Sequence, residues 1–254
     1  MKYSELSVRF CGIAGDGIVS SGKILAGAVA GIGLHVMVND IYSAEIRGLG
    51  KSTTTVRFSR QPLYSMGDGI DLLVGMAAKE SIAEIQAVKS SGSVIYEISE
   101  SGEILEGESL AAHIPPAMNG FGVPLKNLAN QASGTSQGRN IVAMGALCYL
   151  FDLPAKVFIT YIRKIFSRKG ETVVSQNVQA FELGYDYCKE HYPLNAQFEI
   201  DEEKAPKNLI SGNEALAKGA FDCGLNFYAG YPITPATKIM EMCARELPRR
   251  GGWT

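Results

Sequence analysis

The sequence predicts an α/β protein, and three observations carry that reading. Short β-branched runs alternate with helix-patterned stretches through the first half of the chain. A glycine-rich turn joins the first of those runs to the first helical stretch. A charged, period-free segment near residue 200 is followed by a fresh helix–strand–helix pattern.

Element by element, Ser7–Ile13 (SVRFCGI) reads as a strand running into the glycine turn. Residues 17–31 read as a helix with small residues on one face. His35–Asn39, Thr53–Ser59 and Asp71–Gly75 read as strands, being short, β-branched or apolar, and bounded by turn residues. A helix is expected over Ala77–Ser90, a strand over Ser93–Ile98 after a Ser-Ser-Gly turn, and one more strand around Ala111–Pro116 before the loop PPAMNGFGVP. Consecutive parallel strands with helical crossovers are expected, with room for an antiparallel edge strand.

The remainder of this block reads as helical. Asn140–Phe151 is apolar nearly all round, which predicts a buried helix. Leu153-Pro154 interrupts it, Ala155–Ser167 resumes the period, and Glu171–Glu190 is a long amphipathic helix. Residues 1–190 thus form one expected domain and 191–208 a linker with two prolines and a charge run. Residues 209–254 start a second unit: a helix over Ser211–Gly224, a strand over Asn226–Ala229 and a helix from Pro235. So short a stretch buries little core by itself, so it is expected to open a larger domain completed elsewhere.

Composition narrows the function classes. Of 254 residues, 46% are hydrophobic and 20% charged, as in an ordinary folded protein. Lys and Arg total 24 against 26 Asp and Glu, which leaves no electrostatic footprint for nucleic acid or an anionic membrane. The N-terminus MKYSELSVRF lacks a signal-peptide pattern, and no apolar run has the length of a membrane span. The cysteines, Cys11, Cys148, Cys188, Cys223 and Cys243, and the histidines, His35, His113 and His191, are scattered. That spacing predicts reduced thiols in a cytoplasmic protein and no metal or cluster site.

Gly12, Gly15 and Gly17 lie in G-I-A-G-D-G between strand and helix, where bare backbone can approach a phosphate and the first helical N–H groups can hold its charge. A dinucleotide fingerprint nearly fits, but Ser20 stands at its third glycine; Asp40 then lies where a ribose-binding acid would be. A P-loop nearly fits from Gly17 through Gly22-Lys23, but Ile24 replaces the magnesium-binding hydroxyl. A tight turn with close helix–sheet packing and a solvated Lys23 explains the same residues. Downstream, Arg47 in A-E-I-R-G-L-G-K either clamps an anion or pairs with Glu45 at the surface.

In the second unit, Tyr231-Pro232-Ile233-Thr234-Pro235 precedes a helix. Thr234 suits an N-cap and Pro235 the first helical position, without any chemistry. With Gly212-Asn213-Glu214-Ala215 and Phe227-Tyr228-Ala229-Gly230 before it, this stretch resembles the start of the α subunit of 2-oxoacid:ferredoxin oxidoreductases. The first block resembles the γ subunit of the same enzymes through G-I-A-G-D-G, Glu45-Ile46-Arg47-Gly48 and Gly138-Arg139-Asn140-Ile141.

The resemblance implies a three-layer αβα γ-type domain fused to the beginning of a pyrimidine-type, thiamine-diphosphate-binding α domain. It implies oxidative decarboxylation of a 2-oxoacid, with the γ–α order leaning toward 2-oxoglutarate over pyruvate, transfer of the acyl group to coenzyme A, and reduction of ferredoxin. Thiamine diphosphate and magnesium are then shared with a β subunit in a (γα–β) dimer of heterodimers, and [4Fe–4S] clusters belong to a partner subunit. Thr234 becomes a catalytic hydrogen-bond donor near the substrate, beside Tyr231, Pro232 and Ile233. Gly12, Gly15, Gly17 and Arg47 become candidates for coenzyme A or phosphate contact. Asp16, where relatives often carry glutamine, would repel a phosphate unless turned away from it. The chain alone is not expected to be active. A stand-alone NAD(P)- or flavin-binding domain, or a non-catalytic structural subunit, are the alternatives.

Overall fold

The computed structural model describes residues 2–13, 15–42, 50–99, 101, 109–194, 196–201, 204–233 and 236–254. The chain divides into two compact units, Met1–Lys207 and Asn208–Thr254.

In the first unit, β2 (Glu5–Ile13) alternates its faces: Leu6, Val8 and Phe10 point into one core and Cys11 into another. A strand buried on both sides must lie inside a sheet. Its neighbours are β4 (Lys51–Ser59), antiparallel, and β5 (Ile70–Gly75), parallel. With β3 (His35–Tyr42), β6 (Val88–Glu97) and β7 (Asn119–Val123), the order among the described residues is β3-β4-β2-β5-β6-β7. β4 is antiparallel to both β2 and β3, while β2, β5, β6 and β7 run parallel. The antiparallel member therefore sits inside the sheet between two strands joined by a helical crossover, and the sheet is mixed rather than parallel. A two-residue strand, β1 (Lys2–Tyr3), pairs with β8 (Gln197–Phe198).

The larger core lies under α1 (Ile18–Gly31), α3 (Leu125–Ser133), α4 (Arg139–Leu150), α5 (Ala155–Phe166) and α6 (Glu171–His191). α4 is buried nearly all round, as its unbroken apolarity demands. The opposite face carries a thinner layer: the short α2 (Ala78–Ile82), 3₁₀ turns at Ile85–Ala87 and Leu110–His113, and a smaller cluster around Leu73 and Val94.

Several expectations shift here. The helix expected over Ala77–Ser90 ends at Ile82, and β6 already begins at Val88. Residues 111–116 form no strand; the strand is Asn119–Val123, inside the stretch expected as loop, where it adds to the parallel edge beside β6. The tail of the expected linker is docked on the first unit: the Phe198 N–H donates to the Phe151 carbonyl at 2.9 Å, and the Lys207 N–H to the Ala30 carbonyl at 2.9 Å.

The second unit holds α7 (Gly212–Asp222) and α8 (Thr237–Glu246) around Ala217, Phe221, Met242, Cys243 and Leu247. Ser211 starts α7 with a reciprocal capping box to Glu214. The strand expected over Asn226–Ala229 reduces to one bridge between Phe227 and Trp253.

Candidate functional site

Because the chain leaves β2 toward β3 and β4 on one side and later adds β5, β6 and β7 on the other, the sheet has a switch point at β2. Ligands of open α/β sheets enter the crevice outside the carboxyl ends of the strands at such a point. The Gly12–Gly17 loop leaves β2 there.

The loop's geometry explains its glycines. A side chain at Gly12 would collide with Ile18 and the Asp16 carboxylate. Gly15 (φ 96°) and Gly17 (φ 73°) adopt left-handed backbone. Asp16 is turned inward: its Oδ2 accepts the Ile13 N–H at 3.0 Å, and its Oδ1 pairs with the Arg139 guanidinium. Its side chain is only 8% exposed, so the carboxylate that would repel a phosphate faces away from solvent and is neutralised. Next to it, Asn140 donates from Nδ2 to Ser21 Oγ at 3.2 Å. The turn starting α4, with Gly138 also left-handed, therefore clamps the turn starting α1.

Cavities flank this clamp. One of about 390 Å³ lies at the carboxyl ends of β2, β5 and β6, with Ile13, Met76, Leu110, Glu97, Lys126 and Arg139 on its walls. The other, about 420 Å³, is lined by Gly17, Ser20, Gln137, Gly138, Asn140 and Lys169 among others. In the first, Glu97 Oε1 accepts the Lys126 N–H at 3.2 Å. Its Oε2 is buried with no hydrogen-bond partner among the described residues. Burial raises the Glu97 carboxyl above its ordinary range, against the lowering pull of the α3 N–H groups and of Lys126 and Arg139.

The structure thus brings Gly12, Gly15 and Gly17 together around Asp16. Arg47 and Thr234 lie outside the described residues. Tyr231, Pro232 and Ile233 form an exposed stretch of the second unit. Arg139, Asn140, Glu97 and Lys126 were not singled out as site residues from sequence, although Gly138-Arg139-Asn140 stood out as a motif. A charge of each sign in two glycine-started helix turns was the available signal for the Asp16–Arg139 pair.

The nucleotide-fingerprint alternatives do not fit. Asp40 is on β3, the edge strand, with β4 between it and β2, and it accepts from Thr54 Oγ1 at 2.9 Å. A ribose-binding acid belongs on the strand next to the glycine turn. Gly22 is where α1 presses onto Thr54 of β4, and Lys23 is exposed, so the P-loop likeness reflects helix–sheet packing.

Residues 7–187 match the family described as pyruvate ferredoxin/flavodoxin oxidoreductase. A Mycobacterium tuberculosis protein, 2-oxoglutarate oxidoreductase subunit KorA, is 28% identical over 269 residues, covering 94% of this chain and 41% of that protein. The 2-oxoglutarate synthase subunit KorA of Methanocaldococcus jannaschii is 59% identical over 45 residues, 18% of this chain and 12% of that one. Among solved structures, 2-oxoglutarate:ferredoxin oxidoreductase from Magnetococcus marinus, with 2-oxoglutarate, coenzyme A and succinyl-CoA bound, superposes with a TM-score of 0.85 at 30% identity. That match covers 98% of this chain and 42% of the other. The chain belongs to the pyruvate ferredoxin/flavodoxin oxidoreductase family. It spans less than half the length of these relatives, and the two curated ones are named as subunits.

Proposed function

We propose that this chain is the γ–α portion of a cytoplasmic 2-oxoglutarate:ferredoxin oxidoreductase. It works with a β subunit, as a dimer of (γα–β) heterodimers, and passes electrons to ferredoxin. Coenzyme A is the acyl acceptor, and the [4Fe–4S] clusters reside in the partner. Thiamine diphosphate with magnesium, held jointly with the β subunit, supplies the carbanion chemistry of the decarboxylation. In this division, residues 1–190 form the γ-type domain, 191–208 connect the two parts, and 209–254 belong to the α domain.

The observation that carries the reading is the likeness of nearly this whole chain, 98% of it, to 42% of the Magnetococcus marinus chain. The loop chemistry supports it. Gly12, Gly15 and Gly17 bring bare backbone to the crevice, α1 starts there without a side-chain cap, and Asp16 is held away by Arg139. The loop binds and orients an anionic portion of coenzyme A; Arg47 is a second candidate contact. Thr234, beside Tyr231, Pro232 and Ile233, sits near the 2-oxoacid and donates a hydrogen bond.

The test is co-expression with a β subunit of the same family, followed by viologen reduction with 2-oxoglutarate or pyruvate. Turnover that needs both 2-oxoglutarate and coenzyme A supports the reading. A complex loaded with thiamine diphosphate and clusters that turns over no 2-oxoacid overturns it.

A further inference from the structure

Among the described residues, the buried Oε2 of Glu97 is an acceptor without a donor. An unpaired buried acceptor costs stability, and a charged one costs more. Folding alone gives no reason to keep it. Its neighbour Oε1 is used structurally, accepting the Lys126 N–H at the start of α3. Oε2 is the free half of the same carboxylate, and Glu97 lines the 390 Å³ cavity. The rest of that cavity is chemically two-sided. Ile13, Met76, Ala77, Ala78 and Leu110 give apolar walls, while Lys126 and Arg139 supply positive charge. Arg139 gives one nitrogen to Asp16, and it still lines the cavity. A ligand suited to this space is slender and apolar in part, carries an N–H or O–H donor, and bears anionic groups. The volume is that of a small-molecule site.

We propose that Glu97 is a specificity-determining residue of this site, its Oε2 accepting a hydrogen bond from an N–H or O–H of coenzyme A while Lys126 and Arg139 face the phosphates. The assignment rests on the coenzyme A reading above and adds the acceptor to it. Coenzyme A offers such donors at either end, as the amino group of adenine or the amides and hydroxyl of the pantetheine arm, and the two sources are separable.

The experiment is calorimetric titration of the complete γα–β complex and its E97Q and K126A forms, with thermal denaturation as the check on folding. The probes are coenzyme A, adenosine 3′,5′-bisphosphate and 4′-phosphopantetheine. Glutamine can keep its oxygen on the Lys126 N–H and present an NH₂ donor to the cavity, reversing the polarity of the free position. E97Q is expected to weaken coenzyme A about tenfold, and K126A by roughly threefold with a flatter salt dependence. The fragment that loses the same factor as coenzyme A in E97Q identifies which end Glu97 contacts. Equal coenzyme A affinity in the parent and E97Q complexes overturns the role of Glu97 and leaves the coenzyme A reading intact. A folded, cofactor-loaded parent complex that binds no coenzyme A overturns that reading itself.

Discussion

Asp16 and Arg139, 123 residues apart in sequence, form an ion pair that ties the turn starting α1 to the turn starting α4. Both side chains are largely buried, at 8% and 17% exposure, so neither charge is well solvated without the other. Removing one partner of such a pair costs more than removing both. D16A and R139A are each expected to lose about 3 kcal/mol of stability, and the double variant clearly less than the sum. Urea denaturation of the four proteins measures this. Additive losses would mean that each residue acts through other contacts, such as the Asp16 bond to the Ile13 N–H.

The contact between α4 and α6 depends on two glycines facing opposite ways. A methyl group on Gly145 would overlap the Phe181 carbonyl of α6, and one on Gly184 would overlap the Val142 carbonyl of α4. Backbone cannot swing aside as a side chain can, so the helices must separate. Alanine favours the helix by about 1 kcal/mol over glycine, yet overpacking a tight interface costs about 1–3 kcal/mol. With two carbonyl clashes, the steric cost prevails. G145A and G184A are each expected to lower the melting temperature, by roughly 2–6 °C. A rise in either, followed by circular dichroism, would show that the helices part freely.

The reach of the sequence can be judged from these same elements. Period and length suffice for α1, α4, α5 and α6, because each buries a face whose apolar spacing is written locally. Strand pairing is different. Nothing in Lys51–Ser59 says that it inserts antiparallel between β2 and β3, since partner choice is set by the packing of distant segments. β7, Asn-Gly-Phe-Gly-Val, looks like loop because glycine is a poor strand former. Its glycines lie against the Tyr96 ring of the neighbouring strand, with Gly122 also against Ile98, a reason visible only after pairing. At the site, the glycine turn is legible and its clamp is not. Asp16, Arg139 and Glu97 acquire meaning from being brought together by α4, α3 and the end of β6.

All five cysteines are free thiols, and Cys223 alone among them is exposed. Burial holds the Cys11 thiol up to about 11 and Cys188 up to about 12, and it raises Cys148 and Cys243 as well. The thiolate is the reactive form, so a raised value leaves the thiol protonated and inert as pH climbs toward it. Ellman's reagent at pH 8 is therefore expected to titrate one cysteine in the native chain and five in denaturant. Moving to pH 9.5 should recruit neither Cys11 nor Cys188. A second fast thiol in native protein would show that one of the buried sites opens on the time scale of the assay.

Thr234 carries the sharpest choice between structure and chemistry. α8 is described from Thr237, whose N–H donates to the Ile233 carbonyl at 3.0 Å. A helix-capping threonine contributes about 0.5–2 kcal/mol, and its loss shows in a melt without touching turnover. A hydroxyl that donates to the reacting substrate behaves the other way: its loss lowers kcat/KM while the melt stays level. We expect T234A in the assembled complex to lose at least about tenfold in turnover of 2-oxoglutarate, equivalent to 1.4 kcal/mol of transition-state stabilisation. T234S, which keeps the hydroxyl, should recover most of that rate. Serine also serves as a cap, so stability alone cannot separate the two roles, and the turnover of T234A decides between them. Normal turnover with a lowered melting temperature would place Thr234 in the helix start and remove it from the chemistry.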